Sequence, residues 1–193
     1  MSVAHRLATY DDLAALPEDA KAEVVRGALE LSPAPLPRHA KVQGALRGYV
    51  GGAFDDDDGD GGPGGWWILT EVDVRLTRHD IVRPDVAGWR RERLPDPGDL
   101  RPIDVVPDWI CEITSPSNAR RDRVDKARLY LEAGVPFYWL IDPETRVLEA
   151  LVRDGARWVE AGRFSDGDVV RLPPFEAIEL KITRLFLPEK PAT

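Results

Sequence analysis

The stretch DWICEITSPS, residues 108–117, constrains the fold of this chain more than any other. Trp109, Ile110, Cys111 and Ile113 are side chains that favour pleated, buried positions, and Ser115 with Pro116 marks an exit, so the run predicts a buried β-strand. Glu112 stands in its middle. An unpaired carboxylate is costly to bury unless it neutralises, pairs with a cation or binds a metal. A chain that folds around this strand must therefore bring a partner, or a use, to Glu112 from elsewhere.

The rest of the chain is large enough to do so. With 193 residues, 43% of them hydrophobic, it can bury one sizeable core, and no Ser/Gly-rich linker divides it, so residues 1–193 are expected to form a single domain. No apolar run approaches the roughly 20 residues of a membrane span. The N-terminal MSVAHRLATYDDL lacks the apolar centre of a signal peptide, so no membrane association and a cytoplasmic location are expected. The one cysteine, Cys111, excludes an intrachain disulfide and a cysteine-based zinc site and reads as a small buried hydrophobe. A formal charge of -8 argues against a protein that coats nucleic acid non-specifically. The charge is uneven, however: residues 118–128 carry Arg120, Arg121, Arg123, Lys126 and Arg128 against only Asp122 and Asp125.

Thr9 before YDDLAAL predicts a short N-capped helix, and AEVVRGALEL, with Gly27 at its centre, a hairpin of two strands. Residues 38–50 place Ala40, Val42, Leu46 and Val50 at mostly helical spacing, which predicts a second helix ending at Gly51 and Gly52. DDDDGDGGPGG matches the first half of a calcium loop at Asp56, Asp58, Asp60 and Gly61. The place of the bidentate Glu falls on Trp67, so a solvated connection is the better reading. WWILTEVDVRL alternates as one strand, RPDVAGW as another, and DWICEIT follows. Ser117 is expected to cap a helix running to about Ala133, closed by Gly134, before the apolar strand VPFYWLID. Short strands around RVLEALV, RWVEA and DVVRL and a short helix at ITRLF complete the tail.

Two acids occupy apolar strands, Asp85 in RPDVAGW and Glu112 in DWICEIT. Carboxylates from neighbouring strands can converge on one divalent cation, and hard oxygen ligands select Mg²⁺ or Mn²⁺ over zinc. The alternatives are acids that face an edge or pair with arginines. On the helix that follows, Arg121, Asp125, Arg128 and Glu132 share a polar face, while Lys126 falls inward with Ala119, Tyr130 and Ala133. By spacing alone Lys126 also reads as a snorkelling side chain or as the partner of Asp122 one turn earlier.

GALELSPAP, His39, RPDVAGW and WICEITSPSNARRDRVDKARLYLEAGVPFYWLIDP, in that order, resemble the Uma-two family of restriction endonuclease-like proteins, within the PD-(D/E)XK nuclease superfamily. The resemblance runs from about Glu23 to Pro143 and is most specific from Asp108 onward. It implies an α/β (α+β) fold, a restriction endonuclease-like core over about residues 20–143 with a mixed β-sheet flanked by helices. The fold includes the N-terminal hairpin and C-terminal antiparallel strands. It implies that Asp85 and Glu112 are the metal-binding acids and Lys126 the catalytic lysine, carried on the helix because the superfamily's usual position, two residues after Glu112, is Thr114. Glu23 would be a further metal ligand or a support, or the partner of an arginine; His39 would be a site residue or a structural histidine. Arg26 stands where the family more often has an acid.

The reading that follows is a Mg²⁺- or Mn²⁺-dependent endonuclease, acting as a homodimer on DNA. Arg120 and Arg123, with Arg90, Arg91 and Arg93, would supply phosphate contacts. Two other readings stay open: a non-catalytic nuclease-fold protein used for binding or dimerisation, and a nuclease acting on RNA.

Overall fold

The structure, a computed structural model, describes residues 6–17, 20–55, 62–115 and 121–188. The expected cap Ser117, Arg120 and the aspartates 56, 58 and 60 of the acidic loop lie outside these residues.

The chain opens with α1 (Tyr10–Ala14), where Asp12 accepts the Thr9 N–H at 2.8 Å. The hairpin β1 (Ala22–Val25) and β2 (Ala28–Leu31) follows, turning on Arg26 and Gly27, both at positive φ. Then come α2 (Pro37–Leu46), a wide π turn at Arg47–Gly51, and α3 (Gly52–Phe54). The middle strands are β3 (Trp66–Leu69), β4 (Val74–Thr77), β5 (Asp80–Val82), β6 (Val86–Arg90) and β7 (Trp109–Ile113). A π-wound segment, Arg121–Lys126, leads into α4 (Ala127–Ala133), which ends on left-handed Gly134 at φ 88. The tail is β8 (Phe137–Asp142), β9 (Val147–Asp154), β10 (Arg157–Ser165), β11 (Val169–Val170), β12 (Leu180–Lys181) and a 3₁₀ turn at Ile182–Leu185.

These strands form a mixed six-stranded sheet ordered β10-β9-β8-β7-β6-β3 and a four-stranded antiparallel sheet ordered β2-β1-β5-β4. The pairing of β7 with β8 is parallel, the others in the larger sheet antiparallel. A parallel pair needs a crossover, and the segment 121–133 supplies it. The alternation of β7 then sorts its side chains to two cores. Trp109, Cys111 and Ile113 pack with Val42, Leu46 and Val50 of the second helix and with Phe175, whose ring lies 4.9 Å from Trp109. Ile110 packs on the other face with Leu140, Leu129 and Tyr130. Glu112 shares that second face, opposite Leu140.

Two expectations are corrected. WWILTEVDVRL is two strands in two sheets, because the chain turns at Glu71, a non-glycine residue at φ 52, and alternation alone carries no mark of such a break. The second helix does not stop at Gly51 and Gly52 but runs on to Phe54, which is buried. Gly51 serves there as space. A Cβ on it would lie 1.4 Å from the Arg47 guanidinium, which reaches past to Asp55 at 2.5 Å.

Candidate active site

Five residues from five parts of the chain line one cleft of about 500 Å³: Glu23 of β1, His39 of α2, Asp85 just before β6, Glu112 of β7, and Lys126 at the end of the π-wound segment before α4. Each local structure aims its residue. Glu112 and Asp85 stand on adjacent strands of the larger sheet, and the Asp85 Oδ2 accepts the Ile113 N–H at 2.7 Å, which fixes its carboxylate across the strand gap. Glu23 lies on the smaller sheet, where its Oε1 accepts the Arg83 N–H at 2.7 Å. The π-wound turn before α4 carries both Asp122 and Lys126 into the interior, 0% and 2% exposed.

The Lys126 Nζ donates to Glu112 Oε1 at 2.6 Å and to Glu23 Oε1 at 2.9 Å. Lys126 is thus not simply the helix partner of Asp122, since two acids from separate sheets receive its protons. Tyr130, one turn further along, also donates to Glu112 Oε1. Among the described residues, both contacts to the Glu112 carboxylate fall on Oε1. The second oxygen is left to the cleft.

Buried acids surround Lys126. Burial lowers the lysine's affinity for its proton, but Glu112, Glu23 and Asp122 outweigh that effect and hold Lys126 charged well above its ordinary range. For Glu112, burial pushes the pKa up to about 8, against the pull of Lys126 and with the repulsion of Asp85, Asp122 and Glu23. Burial also pushes the Tyr130 hydroxyl well up, with Glu112 the next cause, so Tyr130 stays a donor.

His39 sits against Asp85, Nε2 to Oδ1 at 3.1 Å. Burial lowers its pKa, yet the bond to Asp85 and the charges of Asp85 and Glu71 raise it overall. Around this pair lies a second polar cluster that sequence reasoning missed. Gln43 donates to the Asp85 carbonyl at 2.9 Å and to Glu71 at 3.3 Å, and Lys21 clamps both Glu71 oxygens at 2.8 and 2.7 Å. Glu71 holds these contacts from its left-handed backbone. Only the fold brings Lys21 and Glu71 together, and the sequence carries no signal for it. Tyr130 was within reach, since it shares the inward face of Lys126.

Of the arginines expected at phosphates, the described ones sit elsewhere. Arg90 and Arg91 stack on Trp66 and Trp67, and Arg93 pairs with Asp108 at 2.7 Å. They stand at the far end of β6 from Asp85, about 17 Å along the strand at the usual rise. Arg123 is exposed but outside the cleft, bound to Glu149 at 2.7 Å, and Arg163 holds the same acid at 3.1 Å. Thr114, at the superfamily's usual lysine position, is buried with its N–H on the Ile141 carbonyl at 2.8 Å. The ammonium reaches Glu112 from the helix instead.

The donor set suits a hard divalent cation that keeps most of its waters. Such ions are held by one or two carboxylates, and here Asp85 and Glu112 line one cleft. Among the described residues no group of three or more His, Cys, Asp or Glu is placed to hold a metal ion.

The family model described as "Putative restriction endonuclease" matches residues 7–183. The chain belongs to the Uma2 family. A solved structure from Anabaena variabilis ATCC 29413, a "putative nuclease belonging to DUF820", superposes with a TM-score of 0.72 at 23% identity, covering 93% of this chain and 97% of that one. It shows that this Uma2 chain has the fold of that protein. The DrdV–DNA complex aligns at a TM-score of 0.34 and 20% identity over 67% of this chain and 12% of that one, too slight a likeness to carry an argument. A comparison with curated proteins finds no match. Among the described residues no helix is long and apolar enough to cross a membrane.

Proposed function

We propose that the chain is an endonuclease that hydrolyses phosphodiester bonds in DNA with Mg²⁺ or Mn²⁺ held by Asp85 and Glu112. The observation that carries this reading is the cleft that Asp85 shares with Glu112, a carboxylate 3% exposed whose pKa burial pushes up to about 8. A divalent cation bound there would polarise a phosphate oxygen and lower the pKa of water.

The chain's own groups supply the rest. In the hydrolysis a water oxygen bonds to phosphorus, the bond from phosphorus to the leaving sugar oxygen breaks, and that oxygen takes up a proton. Lys126, fixed by Glu23 and Glu112, keeps its positive charge beside the point where the phosphate gains negative charge. Tyr130 and Lys126 together pin one oxygen of Glu112, so the other keeps a constant direction. The Asp85 carboxylate is held at both oxygens, Oδ1 by His39 and Oδ2 by the Ile113 N–H. Arg123 meets phosphate only by exchanging Glu149 for it, so its share of DNA affinity is small.

The test is to incubate the full chain with supercoiled plasmid and with single-stranded DNA in Mg²⁺, Mn²⁺ or EDTA, beside Asp85→Asn and Glu112→Gln. Nicking that needs metal and both acids is expected. Plasmid and single-stranded DNA both left intact in both metals would leave a binding protein built on a nuclease fold.

A further inference from the structure

The cleft has two unlike walls. One carries the acids and the lysine, and the other is the extended chain LSPAPL from Leu31 to Leu36, which also lines it. Leu31 is 69% and Leu36 48% exposed, large apolar side chains in water on either side of two prolines. Exposed leucines gathered at the mouth of a polar cleft mark a contact surface. The prolines fix φ and remove donors, so the wall offers a stiff, apolar face with few groups to satisfy.

The depth of the reactive groups limits what can reach them. Lys126 and Glu112 are 2% and 3% exposed, at the bottom of a cleft of about 500 Å³. That volume lies in the range of roughly 300–1,000 Å³ that takes a small molecule, enough for a nucleotide or two. A duplex carries its phosphates on the outside of a broad, stiff rod, which cannot enter such a space.

Charge points the same way. Duplex affinity comes from lysines and arginines that neutralise phosphates. Among the described residues, the lysines and arginines lining this cleft are each bound to acid: Lys21 to Glu71, Arg83 to Asp73, Lys126 to Glu23 and Glu112. These three face four lining acids, Glu23, Glu71, Asp85 and Glu112. An apolar wall beside a charge-poor phosphate site matches a strand whose bases are unstacked and free to lie on Leu31 and Leu36. It does not match a double helix.

We infer that the substrate of this cleft is an unpaired DNA strand, free or looped out of a duplex, whose bases lie on the Leu31–Leu36 wall while one phosphodiester reaches Glu112 and Asp85. The inference rests on the reading of the cleft as a phosphodiesterase site. The full chain with Mn²⁺ is to be given one end-labelled sequence as a single strand, as a blunt duplex, and as a duplex with a central mismatched loop. Bis(p-nitrophenyl) phosphate serves as a small diester.

The single strand and the loop are expected to be cut about a hundredfold faster in kcat/KM than the blunt duplex, since a paired base must first be unstacked at a cost of a few kcal/mol. Leu31→Asp with Leu36→Asp is expected to raise KM for the single strand about tenfold, equivalent to one 1.4 kcal/mol step. Thermal melting and Mn²⁺ titration of that variant report whether it folds. Blunt duplex cut as fast as single strand overturns the inference and leaves the phosphodiesterase reading standing. An unchanged KM in the folded variant overturns the role of the wall and the inference with it. Failure to hydrolyse any of the DNAs or the small diester overturns both readings.

Discussion

Lys126 is the residue on which the site turns, because it neutralises acids contributed by two different sheets. Removing one partner of a buried ion cluster leaves charges uncompensated, typically at about 3–5 kcal/mol. Lys126→Met keeps most of the volume and removes only the charge. The variant is expected to be destabilised more at alkaline than at acidic pH, since Glu23 and Glu112 can escape by taking up protons, and to lose about a hundredfold or more in cleavage. Urea unfolding at both pH values and a plasmid nicking assay measure the two effects. A wild-type cleavage rate would mean that Lys126 only holds the acids.

Glu112 gives the complementary prediction. Its folded pKa, about 8, lies above the ordinary 4.5 of an unfolded chain, so the folded metal-free protein binds the proton more tightly. The stability this group contributes is complete below pH 4.5 and is lost as pH rises through about 8. His39 is shifted upward as well, so its contribution is likewise lost as pH rises. In EDTA, the unfolding free energy should fall by on the order of a few kcal/mol across that window. Glu112→Gln should flatten most of the decline, measured by urea unfolding at several pH values. An equally steep decline in the variant would place the proton elsewhere.

At the scale of elements, the crossover segment decides whether the lysine arrives at all. Its end is fixed by Gly134, whose left-handed φ of 88 lets the Gly134 and Val135 N–H groups close on the Leu131 and Tyr130 carbonyls at 3.1 and 3.0 Å. A Cβ there meets no neighbour, so the cost of Gly134→Ala is backbone strain alone, about 1 kcal/mol. Thermal melting should show that loss with metal affinity unchanged, because the cap lies at the opposite end of α4 from Lys126. This element was legible beforehand: the inward phase of Lys126 with Tyr130 and the glycine stop are local patterns, and the structure follows them. The break at Glu71 was not legible. Two β-forming runs read as one, since the left-handed residue between them is held by Lys21 and Gln43, which come from other elements.

For the whole molecule, cation binding and stability are one equilibrium. A ligand that binds only the folded chain stabilises it by about 2.7 kcal/mol at a hundred times its Kd. Mn²⁺ should therefore raise the melting temperature of the wild type and cancel the alkaline loss of stability, with no gain in Asp85→Asn or Glu112→Gln. An equal shift in the variants would remove the shared site. The same experiment tests whether residues 1–193 act as one domain, since a single folding unit unfolds in one transition.

What the sequence by itself determined is what a short window can hold: a buried strand with an acid inside it, a lysine on the inward side of the next helix, and the glycine that ends that helix. The order of motifs added the family, which the match over residues 7–183 bears out. Tertiary structure alone decided the partners. Glu23 and Lys126 stand 103 residues apart, and Lys21 and Glu71 50, and no periodicity encodes such pairs. They are chosen by the packing of two sheets around a crossover, which takes these groups out of water together. Once water is gone, each buried charge must find its partner among the groups the fold has placed within reach.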